Sequence, residues 1–317
     1  MDLNEKIKTL KAAGPQLKAL EEQRHTLLRM QRKKLLFIMV SGVSIILCIV
    51  LWAISMIGVT GVAASFIGLG LLAASTSYYM KEVQLPLQQK LQQSIGNIFV
   101  QHLYPGWEFK ADQSLTHEEV VSSGLLTDGY QPGNNLMRGR HGETNFAFCH
   151  FEEDFNHEED NRTLFNGLLL IFDFHKSIKE KTIVFPDQAQ KNMGSWLGKK
   201  IQEFGWKGLE LVYLEDPIFE KEFVTYGSDQ IEARYVLTPN MMTNLLKLRA
   251  RFGENISFSF TNDKVAVAIK HVSSSPFTNI DAPINPEAAL WHFHQPIQLA
   301  KEVIDTLQLN TRIWARE

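Results

Sequence analysis

LLFIMVSGVSIILCIVLWAISMIGVTGVAASFIGLGLLAASTSYYM, residues 35–80, contains no Asp, Glu, Lys or Arg. An apolar run needs about 20 residues to cross a hydrocarbon core of about 30 Å. As one straight helix this run would extend about 69 Å at 1.5 Å per residue. Tilt absorbs only a few surplus residues, so the length fits two crossings rather than one. The first is placed at Leu35 to Ser55 and the second at Val59 to Tyr79, with Gly58, Thr60 and Gly61 at the turn. Tyr78 and Tyr79, and Trp52 near the other end of the first helix, suit interfacial aromatic belts.

The flanks set the orientation. Lys18, Arg24, Arg29, Arg32, Lys33 and Lys34 precede the first span, Lys81 and Lys90 follow the second, and the turn is uncharged. The positive-inside rule puts both termini in the cytoplasm. A cleaved signal peptide would start earlier, be shorter and not continue into a second span. Gly61, Gly68, Gly70, Ala63, Ala64, Ala73 and Ala74 make the second helix rich in small residues. Such residues let the two helices of one hairpin pack closely, with self-association into a homo-oligomer as the alternative. No ionisable side chain inside either span marks an ion path.

Charge is divided along the chain. Residues 1–34 hold nine Lys/Arg and four Asp/Glu, and the remainder holds 23 basic and 31 acidic residues. The basic part suits anionic lipid head groups. The acidic remainder argues against a nucleic-acid partner, which needs a clustered basic face. The two cysteines, Cys48 in the first span and Cys149 beyond the second, cannot pair. That excludes a disulfide framework, zinc ribbon or iron–sulfur site, and suits a reducing compartment.

The segments expected are a cytosolic basic helical segment (1–34), a transmembrane hairpin (35–80), a helical connector (81–141) and a cytosolic α+β domain (142–317). In the connector, Val83, Leu87, Leu91, Ile95, Ile98 and Phe99 recur at helical spacing, and Thr116 to Glu119 has the spacing of a capping box with Gly124 as the stop. Residues 128–142, rich in Gly, Asn and Pro, read as a loop. Strands are expected at 144–151, 164–174 (central, with Gly167 marking a bulge or a close backbone approach), 181–185 and 209–214. Phe219 to Tyr226 and Ile231 to Leu237 read as two strands around a turn at Gly227 to Gln230. Thr238-Pro239 starts a helix running to Phe252, and 256–260 with 265–269 form a hairpin. Helices are expected around Trp196 to Phe204 and from Pro296 to Leu309. Strands joined by short turns, with helices at intervals, give an α+β fold on a mainly antiparallel sheet.

Few residues carry an obvious chemistry. The densest group of metal-ligand types is the run from His150 to Asp160, read as an acidic loop, with His150, Glu153 and His157 as candidate ligands. Its spacing is that of neither an EF-hand nor a zincin. His292 and His294 would share one face of a strand. Gly194 to Lys200 lacks the spacer and the Ser/Thr of a phosphate-binding loop, and no G-x-S-x-G elbow occurs. On the expected strand after Asp229, Glu232 and Arg234 share a face and can pair, and with Tyr226 and Asp229 they are the candidate binding residues.

That last region carries a resemblance. FVTYGSDQIEARYVLTP, residues 223–239, resembles the signature of domain-of-unknown-function family 3137, bacterial two-pass membrane proteins in which a tyrosine, an aspartate and E-A-R-Y-x-L-T-P recur in order. The segments around Phe165 to Leu169, Asp173-Phe174, Thr182 to Pro186, Ile256 to Phe260 and Val265 to Ile269 look similar too. The resemblance covers about 142–277 and the N-terminal arrangement. It implies a bacterial source and this architecture, and it implies no activity. No nucleophile, base and oxyanion donor can be placed together, so no cofactor and no catalytic residue is expected. The expectation is a bilayer-anchored binding or scaffolding module at the bacterial inner membrane, with a protein or anionic lipid partner. A membrane-tethered metal-dependent enzyme and an exported effector that inserts into a host membrane are the alternatives.

Overall fold

In the computed structural model, residues 14–55, 70, 73–74, 77, 85–126, 130–157, 160–187, 208–272 and 283–310 are described. The chain divides into two compact units, Met1–Ile98 with Phe277–Pro286, and Phe99–Pro276 with Glu287–Glu317.

In the first unit, helix α1 spans Gly14–Ser55. Leu17, Leu20, Arg24 and Leu28 recur at helical spacing and are buried. Arg24 survives burial because Glu21 takes both ends of its guanidinium, Nε at 2.9 Å and Nη2 at 2.6 Å. That Arg24 contact, together with the Ile284 amide, holds the Glu21 carboxyl below its ordinary range despite partial burial. Among the described residues no helix is long and apolar enough to cross a membrane. Helix α1 includes the first expected span, Leu35 to Ser55, several of whose side chains lie outside the described set. The second expected span lies outside it apart from Gly70, Ala73, Ala74 and Ser77. Helix α2 follows at Leu85–Leu103, with Leu91 and Ile95 buried.

The second unit is built on nine strands, all paired antiparallel: β1 (Glu108–Lys110), β2 (Asn134–His141), β3 (Thr144–His157), β4 (Asp160–Asp173), β5 (Thr182–Pro186), β6 (Glu210–Val212), β7 (Phe223–Gly227), β8 (Ile256–Thr261) and β9 (Lys264–Lys270). Their order is β1-β2-β3-β4-β9-β8-β5-β7-β6. The expected α+β class with a large antiparallel sheet and flanking helices is therefore present. Register makes one continuous row across all nine strands: Phe109, Met137, Phe148, Leu170, Val267, Phe258, Val184, Thr225 and Val212. None of these exceeds 4% exposure, so this face is core from edge to edge.

The helices α3 (His117–Ser123), α4 (Pro217–Glu222), α5 (Gln230–Val236), α6 (Pro239–Phe252) and α7 (Pro286–Thr306) surround the sheet. Phe293 of α7 packs edge-on against Phe99 and Phe109, and Phe219 of α4 reaches Phe258 of the row through Phe223. The opposite face carries smaller residues, Ala147, Ala266 and Ser259 among them, and joins Val120 of α3 with Leu115, Leu125 and Leu126 in one cluster. Cys149 lies inside that cluster, where burial pushes its thiol up to about 11.

Local signals held where the chemistry is local. Thr116 and Glu119 make the reciprocal capping box that starts α3, and Gly124 ends it at φ 65°. The Thr238 side chain accepts from the Met241 amide and Pro239 opens α6, which ends at Phe252. Asn262 and Asp263 turn the β8–β9 hairpin at φ 49° and 55°. Gly167 sits on β4, the fourth of the nine strands, where a Cβ would overlap the Ile269 carbonyl of β9. Close backbone approach is thus the reason for glycine there.

Other expectations are corrected. Residues 81–141 are not only a helical connector, because β1 and β2 belong to the sheet, and β2 lies within the expected 128–142 loop. The run from His150 to Asp160 is not a loop: β3 and β4 pair as far as His157↔Asp160. Residues 219–222 are the end of a helix, and Ile231 to Val236 is helix rather than strand. Helix α7 begins ten residues before Pro296, so His292 and His294 are helical. Pro296 removes one helix hydrogen bond, but buried Leu290, Phe293, Ile297 and Ala300 continue one apolar face through it. The helix expected around Trp196 lies outside the described residues.

Candidate functional site

The family-like motif folds as β7, a turn, α5 and the cap of α6. The Asp229 carboxylate starts α5 by accepting from the Ile231 amide at 2.8 Å and the Glu232 amide at 2.7 Å. Once α5 forms, Glu232 and Arg234 no longer share a face, because residues two apart on a helix diverge. Glu232 instead reaches the segment between β4 and β5. Its two oxygens accept from the consecutive amides of Lys179, at 3.0 Å, and Glu180, at 2.6 Å.

Neighbouring amides of that segment are held in the same way. Asp263 Oδ1 accepts from the Ile178 amide at 2.8 Å, and Ser228 Oγ accepts from the Lys181 amide at 3.0 Å. The Ser228 hydroxyl donates to the Glu180 carboxylate at 2.6 Å. Four successive backbone donors, 178 to 181, are thus satisfied by three side chains from two other segments. A loop without sheet or helix partners needs such acceptors.

Lys176 anchors the near end. It is 3% exposed, and its Nζ donates to the Tyr235 carbonyl at 3.1 Å while lying 4.8 Å from the Tyr235 ring centroid. Burial lowers its pKa. Between the clasped segment, α5 and the β8–β9 turn lies a cleft of about 1090 Å³, whose lining includes Asp173, Lys179, Asp229, Ile231, Glu232 and Tyr235. Ile231 is 80% exposed and Tyr235 45%. They are four apart on α5, so they form one apolar lip of the cleft.

The candidate binding residues therefore separate. Asp229 and Glu232 line the cleft, but their carboxylates are occupied by backbone amides. Tyr226 is a buried sheet residue in register with Ile183 and Leu211, and burial raises its pKa. Arg234 donates to the Gln230 carbonyl at 2.9 Å and the Tyr213 carbonyl at 3.0 Å. Sequence reasoning did not single out Ile231 and Tyr235, since on a strand they would lie on the face opposite Glu232 and Arg234. Removing the cap tests this assignment. Asp229→Ala is expected to cost about 1 kcal/mol of stability, read as a lowered urea midpoint of the purified full chain. An unchanged midpoint would mean Asp229 is not the cap of α5.

The candidate metal ligands are not brought together. His150 and His157 are seven positions apart on extended β3, which at about 3.3 Å per residue is roughly 23 Å. One ion cannot bridge that span. His150 Nε2 instead lies 3.2 Å from Asn166 Oδ1, and burial lowers its pKa. The side chains of Glu153 and His157 lie outside the described set. Among the described residues no group of three His, Cys, Asp or Glu could hold a metal ion. His294 is buried in α7, with Nδ1 2.6 Å from the Tyr104 hydroxyl.

Residues 163–309 match the family model described as "Protein of unknown function (DUF3137)". The family suggested by the E-A-R-Y-x-L-T-P string is thereby shown over that segment. No curated protein matches the chain. Among solved structures, the chain is similar to that of the mycobacterial trehalose monomycolate transport factor A, TtfA, at 11% identity over 73% of this chain and 98% of that one, with a TM-score of 0.36. That likeness is too distant to bear on function.

Proposed function

We propose that this chain, with its DUF3137 segment at 163–309, is a two-pass membrane protein that holds a binding module at the cytoplasmic face of a bacterial inner membrane. One observation carries the reading. The exposed stripe of α1 is polar at Lys18, Glu22 and His25, and apolar from Leu36 onward. Leu36, Met39, Val43 and Leu47 are 50–63% exposed in succession. Four large apolar side chains on one bare face need a covering phase. The uncharged run to Met80 favours lipid as that phase. The basic flanks favour both termini inside.

The cleft supports binding rather than a reaction. Its motif carboxylates serve backbone amides, and its exposed apolar part is the Ile231–Tyr235 lip, which suits a protein segment with apolar side chains.

Alkaline carbonate extraction of bacterial membranes tests the anchor. The full chain is expected to stay in the inner-membrane pellet, with a C-terminal reporter active only on the cytoplasmic side. Release with peripheral proteins, or recovery from the culture medium, would overturn it.

A further inference from the structure

The stripe that turns apolar at Leu36 carries a second chemistry one turn earlier. Arg29, Arg32 and Lys33 are all exposed. At about 100° per residue they fall in the same stripe, about 120° wide, as Leu36, Met39, Val43 and Leu47. No carboxylate occurs between Glu22 and Glu82 in the sequence. Among the described residues, none of these three cations has a hydrogen bond or an ion pair, whereas Arg24, on the buried side of the same helix, is held by Glu21. Three unneutralised cations therefore sit on one face, directly below the first apolar turn.

We infer that Arg29, Arg32 and Lys33 form a binding site for the phosphate-bearing head groups of anionic phospholipids. The inference rests on the membrane reading above, which places Leu36 at the start of the hydrocarbon. The three side chains then lie at head-group depth, where long basic side chains reach the interface while their stems follow apolar surface. Charge complementarity selects the lipid. A zwitterionic head group offers no net charge to three clustered cations, while an anionic one does. Because α1 presents them on one stripe, the cations face one patch of lipid rather than surrounding the helix.

The test uses the full chain in nanodiscs of phosphatidylcholine mixed with phosphatidylglycerol, and reads the phosphatidylglycerol retained on re-extraction in mild detergent. Each basic residue near an anionic surface contributes roughly fivefold in affinity. The triple variant R29Q/R32Q/K33Q is expected to lose phosphatidylglycerol enrichment by on the order of 100-fold in relative affinity. R29K/R32K/K33R should keep it, because charge rather than guanidinium geometry is required. Enrichment in the wild type should fall with added salt, since exposed charges are screened. An unchanged lipid profile in the glutamine variant, or no enrichment in the wild type while the chain stays in the disc, would overturn the inference and leave the anchor standing. A chain that carbonate releases from membranes fails the anchor instead. The glutamine changes lie on exposed positions, so folding is checked by an unchanged melting temperature in detergent.

Discussion

Gly167→Ala is expected to destabilise the sheet unit by about 3 kcal/mol or more. The added Cβ would overlap the Ile269 carbonyl oxygen, and would lie 2.8 Å from Lys270 Cα and 2.9 Å from the Ile269 carbonyl carbon. All three are backbone atoms of β9, the middle strand of the nine. Nothing can rotate away, so β4 and β9 must part near the Gly167↔Lys270 pair. Leu168, Leu169 and Leu170 beside it are fully buried and would follow. Whole domains are stable by only about 5–15 kcal/mol, so a loss of this size is a large share. Urea unfolding of the purified full chain measures it. A change below about 1 kcal/mol would mean that the strands have room there, contrary to this packing.

Glu232→Ala should be the most damaging change among the motif's charged residues, Asp229, Glu232 and Arg234. It strips acceptors from two successive amides, Lys179 and Glu180, in a segment with no ladder to fall back on. Hydrogen bonds to charged groups contribute about 1.5–3 kcal/mol when buried, and this site is partly exposed, so about 2 kcal/mol is expected. Glu232→Gln keeps one oxygen and should lose roughly half of that. Amide hydrogen exchange offers a sharper readout. The amides of residues 178–181 should exchange faster than the β-ladders do, because the loop opens before the domain unfolds. If exchange at Lys179 and Glu180 is unaffected, Glu232 is not the clasp, and a role in binding a partner becomes the better explanation.

What could be read from sequence depended on the range of the interaction. Thr116, Thr238 and Gly124 act on their own backbone within one turn, so residue type and spacing sufficed. Gly167 was recognisable as a breach in a long apolar run, although its partner strand lies about a hundred residues away. The misreading of 231–236 has a definite cause. Ile231, Ala233, Tyr235 and Leu237 alternate with Glu232, Arg234 and Val236, which is strand periodicity. The competing signal was Asp229-Gln230-Ile231-Glu232, the same spacing as the cap found at Thr116 to Glu119. The cap prevailed because Asp229 satisfies two helix donors, and Ala233 and Val236 bury on one side.

Glu232 could not be assigned for a different reason. Its partners lie about fifty residues earlier, and nothing in the sequence ties a carboxylate to a particular loop amide. The ribbon from His150 to Asp160 was hidden by composition, since acidic residues are depleted in strands. Its pairing follows from the register of the apolar residues below it, Phe148 with Leu170 and Cys149 with Leu169.

The last strand of the sheet is β6, only three residues long. Gln230 donates to the Leu211 carbonyl at 2.9 Å and Arg234 to the Tyr213 carbonyl at 3.0 Å. Both donors lie on the same side of α5, four positions apart. An open sheet margin invites another chain to add a strand, and short or covered margins resist it. Here the motif helix takes up the Leu211 carbonyl of the terminal strand and the Tyr213 carbonyl just beyond it. The hazard is greatest for copies crowded side by side in two dimensions, as tethered domains would be. In that setting Gln230 and Arg234 act as insulation that keeps neighbouring copies from joining into continuous sheets.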